Sequence, residues 1–467
     1  MKTLHLTNAW HEKSGGIATF YKELIIAANR EKHYIRLVVP GDGDSIQEVG
    51  AFGRIYRLAA PSAPLNPAYR ILYPSQFLSA HSKIQRIIRD ERPDLVEICD
   101  KYNLHYFGGL LRLGLLPGID YRPALVGLSC ERMDENFAVY VGWGSLGKRF
   151  SQFYMHWLYF PFFDYHIAVS EQTAGELAPA ALGHAVSRRV WIRPMGVDTD
   201  RFSPYKRSEQ RRLHLLQSCD GDRGSALLLY AGRLAPEKNL DLLIDLMGEL
   251  NLTGRQFRLV IAGDGIEQPR LKALMQSQFP GKVVFLGHVD DREDLAELYA
   301  SCDVFLHPNP REPFGIAPLE AMAAGIPLVA PNSGGITGYA NMANAWTVEP
   351  TGRAFAGAVL EALTDRTLRQ RKIKEAINTA ARYSWLRIAS QYLRLYQEIS
   401  RLHRGLSPSP GLEPAFTSTP AKKGRARMIR GVAGLAESAF HFWAHLAEAR
   451  DSGTWSKTNL QQRGGGR

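Results

Sequence analysis

Cysteine is scarce in this chain. Four are spread over 467 residues, at positions 99, 130, 219 and 302, with no CxxC pair among them. That excludes a disulfide framework and a thiolate zinc site, and it fits a reducing cytoplasm. No run of about 18 apolar residues is present, so no membrane-spanning helix is predicted. Met1-Lys-Thr-Leu-His-Leu-Thr7 passes directly into a strand pattern, which predicts no signal peptide. The expectation is a cytoplasmic protein, soluble or peripheral at the inner face of the cell membrane. Excess charge is also missing from most of the chain. The formal net charge is +11, but residues 401–467 hold 11 Lys+Arg against 4 Asp+Glu. The body is nearly balanced, so nucleic acid is not an expected partner.

What is present is a long alternation of short apolar runs and helical patterns. Thr3–Thr7, Ile35–Val39, Asp94–Ile98, Ala124–Leu128 and His166–Val169 read as buried strands in a first stretch. Leu227–Tyr230, Arg258–Ala262, Val283–Leu286, Val304–Leu306 and Pro327–Ala330 do so in a second. This predicts an α/β protein with two parallel-sheet domains, over residues 1–195 and 196–385. Arg193-Pro-Met-Gly-Val-Asp198 and the polar segment Ser203–Gly224 read as the linker. A helix is predicted over 386–404, returning to the first domain. A basic tail follows over 405–467. Its Ser407–Pro420 segment is Pro/Ser/Thr-rich and reads as disordered. Apolar residues at helical spacing predict an amphipathic helix over 427–449.

The most informative stretch is Glu312-Pro-Phe-Gly-Ile-Ala-Pro-Leu-Glu320. A tight loop precedes a helix starting near Ile316, with Glu312 in the loop and Glu320 about one turn into the helix. The amides of Phe314, Gly315 and Ile316 then occupy a helix N-terminus, where unpaired N–H groups favour an anion. An anion cradle between two hydroxyl-binding carboxylates suits a phosphorylated sugar. Ala231-Gly232-Arg233-Leu-Ala-Pro-Glu-Lys238-Asn follows another strand. Gly232 allows a sharp turn, and the two cations Arg233 and Lys238 suit a diphosphate; solvated surface cations are the plainer alternative. Gly263, in Ala262-Gly-Asp-Gly265, permits close backbone approach. The Phe285-Leu-Gly-His288 turn is placed to meet a base. All of these lie at strand carboxyl ends, the ligand-binding edge of open parallel sheets. Ser14-Gly15-Gly16-Ile17 opens a helix in the first domain without GxGxxG spacing, so a nicotinamide dinucleotide site is not supported.

Taken together, these motifs resemble the family 4 retaining glycosyltransferases, over roughly residues 1–400. The resemblance implies the GT-B fold, with two Rossmann-like domains facing a deep cleft. It implies a nucleotide-sugar donor held mainly by the second domain and a lipid or glycan acceptor held by the first. Arg233 and Lys238 would bind the diphosphate, Glu312 the sugar hydroxyls and Glu320 the ribose. Gly16 would lie against the diphosphate from the opposite domain. No cofactor and no metal are implied. Asp100-Lys101-Tyr102 and Ser129-Cys130-Glu131-Arg132-Met-Asp134 resemble relatives that mannosylate lipids from GDP-mannose, with UDP-hexoses the other donor class. Cys130 stands where those relatives carry histidine. A thiol does not reproduce imidazole hydrogen bonding. Either catalysis tolerates the change, or the acceptor differs, or activity is reduced or lost.

Three DxD triplets, at 42–44, 198–200 and 220–222, read as solvated turns rather than metal ligands. The aromatic run Phe153–Tyr165 reads as a helix packed on the first sheet, with an acceptor groove or a membrane-facing helix as alternatives. In the tail, Lys422–Arg430 with the predicted helix suggests an anionic membrane surface as a partner.

Overall fold

The computed structural model describes residues 1–417, apart from 11–14, 64–65, 80, 141–143 and 185–188. The basic run Lys422–Arg430 and the helix predicted over 427–449 lie outside the described residues. Among the described residues, nine strands form one sheet. Its order is Phe416–Thr417, Arg189–Ile192, Tyr165–Ala168, Ala124–Ser129, Leu95–Cys99, Lys2–Thr7, Tyr34–Gly41, Gly53–Ala59 and Ser45–Val49. The central strands are parallel and covered on both faces, which is why they are continuous apolar runs. Successive residues feed different cores. Leu95 and Val126 pack on one side, while Val96 and Leu125 pack on the other.

A second sheet runs Val283–Gly287, Phe257–Ala262, Ala226–Ala231, Val304–Leu306, Leu328–Pro331 and Trp346–Val348, all parallel. Each strand ends in a loop at the same edge. The loops after Ala226–Ala231 and Val304–Leu306 are therefore neighbours, because their strands are.

Inside the first sheet, His5 and Glu97 are register partners on adjacent strands and are fully buried. His5 Nδ1 lies 2.9 Å from Glu97 Oε1, which also accepts from Tyr21 OH at 3.1 Å. Tyr396 OH donates to Glu97 Oε2 at 2.6 Å. A buried carboxyl without such partners is strongly unfavourable, so this group demands both helices. Gly16–Glu31 supplies Tyr21, and Trp385–His403 supplies Tyr396.

The chain passes between the sheets at residues 193–198 and again near 383–385. The two crossings bond to each other: Val197 N donates to Tyr383 O at 2.8 Å, and Trp385 N donates to Val197 O at 3.0 Å. Gly196 lies under the Trp385 ring, where a Cβ would come within 2.5 Å of a ring carbon.

Two expectations need correction. Ser203–Gly224 is not a bare linker: it contains the helix Glu209–Gln217, capped by the Ser208 side chain and anchored by buried Leu215 and Leu216. Residues 407–417 are not disordered. Phe416–Thr417 pairs antiparallel with Arg189–Ile192, and Trp191 Nε1 donates to Leu412 O at 3.0 Å. The segment covers a sheet edge that would otherwise present unpaired backbone.

Tyr396→Phe removes the donor to Glu97 Oε2 and is expected to lower the unfolding free energy by about 1–3 kcal/mol. Urea denaturation measures this, and an unchanged midpoint would refute the network's structural role.

Candidate active site

The edge of the second sheet brings Lys238 and Glu312 together. Lys238 ends a short 3-10 turn, Pro236–Lys238, and Asn239 follows in the left-handed conformation. The Asn239 side chain donates to Pro308 O at 3.0 Å, tying this turn to the Val304–Leu306 loop. Lys238 Nζ then lies 2.8 Å from Glu312 Oε2, which also accepts from Asn309 Nδ2 at 2.9 Å. His307 Nε2 is 3.7 Å from the same oxygen, buried and without a hydrogen-bond partner among the described residues.

Burial opposes ionisation of Glu312, but Lys238, His307 and the hydrogen bonds from Lys238 and Asn309 hold its carboxyl at about 2. Burial and the Lys238 charge lower His307 to about 4 against the pull of Glu312, so its ring is neutral at pH 7. Arg233 is placed differently from Lys238. It donates to Glu237 Oε1 at 2.7 Å and remains 48% exposed on its side chain.

Gly315 caps the helix Ile316–Ala323 with a φ of 86°. A Cβ there would be strained, and would also meet Ile336, Tyr339 and Glu312 at 3.0–3.1 Å. The leading amides of the helix have no intrahelical acceptor. Phe314 itself is buried beside Tyr339, so only its backbone faces this end. Glu320 is buried further along. Its Oε1 accepts from Arg292 at 3.0 Å and its Oε2 from Tyr299 OH at 3.3 Å. Burial pushes its carboxyl up, against Arg292 and Tyr299. Gly263 packs so closely on the Gly232 turn that a Cβ would fall 1.9 Å from Gly232 O. His288 follows Val283–Gly287, with its Nε2 3.5 Å from Asp290 Oδ1.

The first sheet's unit meets this edge directly. Gly16 begins the helix Gly16–Glu31, and a Cβ on it would lie 2.9 Å from Ile316 Cδ1. Two helix N-termini, each led by glycine, thus face one another. Ser170 Oγ donates to Pro313 O at 2.5 Å, a second link between the units.

Cys130 stands apart from the Lys238–Glu312 pair in the hydrogen-bond pattern. It follows Ala124–Ser129, and its Sγ is 3.6 Å from Cys99 Sγ. Burial, together with Cys99 and the Glu97 and Glu131 carboxylates, pushes its thiol well up, so it keeps its proton at neutral pH. Lys101 is 1% exposed and lies 2.5 Å from Glu176 Oε2. Glu176 Oε1 accepts from the amides of Met133 and Asp134 at 2.7 and 3.1 Å. This clamps the Asp100–Tyr102 turn to the segment after Cys130. Sequence reasoning missed Asn309, Arg292, Tyr299 and Glu176, which carry no motif of their own.

Comparison with known proteins agrees with this geometry. Residues 14–201 match a family model described as Glycosyltransferase Family 4, and residues 220–379 match one described as Glycosyl transferases group 1. A GDP-mannose-dependent alpha-(1-6)-phosphatidylinositol dimannoside mannosyltransferase of Mycobacterium tuberculosis is 27% identical over 403 residues, covering 84% of this chain and 95% of that protein. A GDP-mannose-dependent alpha-mannosyltransferase of the same species is 40% identical over 145 residues, 31% of this chain and 34% of that one. Sucrose-phosphate synthase from Thermosynechococcus elongatus superposes with a TM-score of 0.67 at 19% identity, over 87% of this chain and all of that one. Anabaena HepE in complex with UDP gives 0.59 at 18% identity, over 85% of this chain and 100% of that one. Both halves of the chain thus match glycosyltransferase models, and the protein is a glycosyltransferase with the GT-B fold.

The depressed Glu312 carboxyl sets a pH dependence. Its folded value, about 2, lies below the ordinary 4.5, so its stabilising contribution is complete above 4.5 and disappears as pH falls toward 2. Lys238→Met is expected to cost about 1–3 kcal/mol at pH 6, less than a fully buried pair would because the lysine is partly exposed. The difference from wild type should shrink between pH 5 and pH 3 in denaturant titrations at each pH. An equal difference at both would contradict the assignment.

Proposed function

We propose that this glycosyltransferase moves mannose from GDP-mannose to a lipid or glycan acceptor with retention of anomeric configuration. The observation that carries the reading is the Lys238–Glu312 pair at the edge where two glycine-led helix ends converge. Support for the base and sugar comes from the GDP-mannose-dependent relatives. Residues 1–195 act as the acceptor lobe and 196–385 as the donor lobe, with 386–404 bracing the acceptor lobe. The enzyme works in the cytoplasm, at the inner face of the membrane when its acceptor is a lipid.

Each residue then has a task. Lys238 and Arg233 hold the donor diphosphate, and the amides of Phe314, Gly315 and Ile316 add donors at a helix end. Gly16 leaves room for the diphosphate from the other lobe. Glu312 accepts from sugar hydroxyls, and the unpartnered His307 nitrogen beside it offers another polar contact. Glu320, held by Arg292 and Tyr299, takes the ribose hydroxyls. Gly232 and Gly263 let the loops approach the nucleotide, and the His288 turn lies along the base. The acceptor hydroxyl attacks from the face the diphosphate leaves, and the departing phosphate takes its proton. Cations and amides stabilise the charge growing on that phosphate, so neither a second carboxylate nor a metal is needed. Cys130 lines the acceptor side as a neutral thiol.

A second reading, a subunit that binds nucleotide-sugar without turnover, draws on Cys130 replacing histidine. Thermal shift with GDP, UDP and ADP in EDTA identifies the nucleotide of the donor. A GDP-only shift is expected. A UDP-only shift would replace the donor, and a nucleotide shift without any transfer in the assays below would favour the silent subunit. In assays with donor and lipid acceptor, Lys238→Ala should lower kcat about 100- to 1,000-fold. Glu320→Ala should act mainly on donor KM, and Cys130→His should retain turnover. Full activity in Lys238→Ala would overturn the mechanism, and loss of activity in EDTA would overturn its metal independence.

A further inference from the structure

The helix Gly144–Tyr154 and the π-helical turn Met155–Tyr159 that continues it carry two apolar stripes where one would suffice. Ser151, Tyr154 and Leu158 face the core. Leu146, Phe150, Phe153 and Trp157 stand 70%, 39%, 50% and 43% exposed. Their 4-3-4 spacing makes them a single outward stripe. The aromatic run is therefore packed on the first sheet through part of its residues only.

Charge on this segment has one sign. Lys148 and Arg149 are exposed, and residues 144–159 contain no Asp or Glu. Leu182, 65% exposed, lies on the neighbouring loop, which is tied to this turn by His156 Nδ1 near Ala180 O at 3.1 Å and by the stacked rings of His156 and His184. Contiguous exposed aromatic and aliphatic groups flanked by cations match an anionic lipid surface in both hydrophobicity and charge.

The stripe is also close to the acceptor side. The helix Met133–Tyr140 starts just past Cys130, and its Phe137 ring packs on Phe150 at 5.6 Å. The same helix packs on the Pro236–Lys238 turn that carries Lys238. An eight-residue helix spans about 12 Å, the scale of a lipid headgroup with its attached sugar.

We propose that this stripe, Leu146, Phe150, Phe153 and Trp157 with Lys148 and Arg149, docks the enzyme on an anionic membrane leaflet. Docking there would place a lipid acceptor's headgroup at the cleft while its chains stay in the bilayer. The inference rests on the lipid-acceptor reading and differs from it in naming a surface outside the tail.

Co-sedimentation of the full-length chain with phosphatidylcholine vesicles, with and without phosphatidylglycerol, tests it. Wild type should partition onto the anionic vesicles. F153S/W157S should weaken partitioning about tenfold or more at every salt concentration. K148E/R149E should weaken it at low salt and far less at high salt. GDP thermal shifts in both variants report that the fold is kept. Equal partitioning of F153S/W157S and wild type would give the binding to the tail and overturn the proposal. So would no vesicle binding by wild type, or self-association through the stripe without vesicle binding. Transfer to a detergent-dispersed acceptor tests the function separately. Activity there without vesicle binding sinks the surface and leaves the enzyme, whereas stripe-dependent binding without any transfer does the reverse.

Discussion

One carboxylate, Glu312, organises the site. Its side chain holds Lys238 and Asn309, and its backbone carbonyl accepts from Gly335 N at 2.6 Å. Three loops from different strands are thereby fixed relative to one another. The burial that makes this anion costly also prevents it from tolerating the loss of any partner. Lys238 is consequently held in place before any ligand arrives. The neutral His307 ring beside the pair adds no competing charge.

Glycine sets how closely the remaining pieces approach. Gly335 packs where a Cβ would be 1.9 Å from Pro313 O, and Gly263 does the same against Gly232 O. Gly16 against Ile316 repeats the device between the two sheets' units. Around the site, then, loops approach one another more closely than any side chain at these three positions would allow.

Much of this was legible in the sequence, for a physical reason. Strands covered on both faces must be apolar throughout, so Val304–Leu306 and Ala124–Ser129 announce themselves. Edge strands need not be. Ser45–Val49 exposes Ile46 at 64% and left no readable signal. Polarity misled at Ser203–Gly224, where two leucines suffice to anchor a helix, and at 407–417, where a sheet edge orders a segment whose composition favours disorder. Motif spacing identified Lys238 and Glu312, which lie together at the strand edge although 74 residues apart. It could not identify Arg292 or Tyr299, because a partner for Glu320 can come from any position the fold brings near. Cys130 was visible as a departure, but its neighbour Cys99, 31 residues away, was not.

The paired crossings at Val197 and at Tyr383–Trp385 have a mechanical consequence. Two connections that lay apart would let the sheets slide as well as swing. Laced together by two hydrogen bonds, with Gly196 seated under an indole ring, they form one connection rather than two. Shear would break those bonds, whereas rotation preserves them. A rotation about this point would accordingly carry Gly16 away from Ile316 and back along one path. The repeatability of the assembled site is thus delegated to a few backbone groups that never touch a substrate.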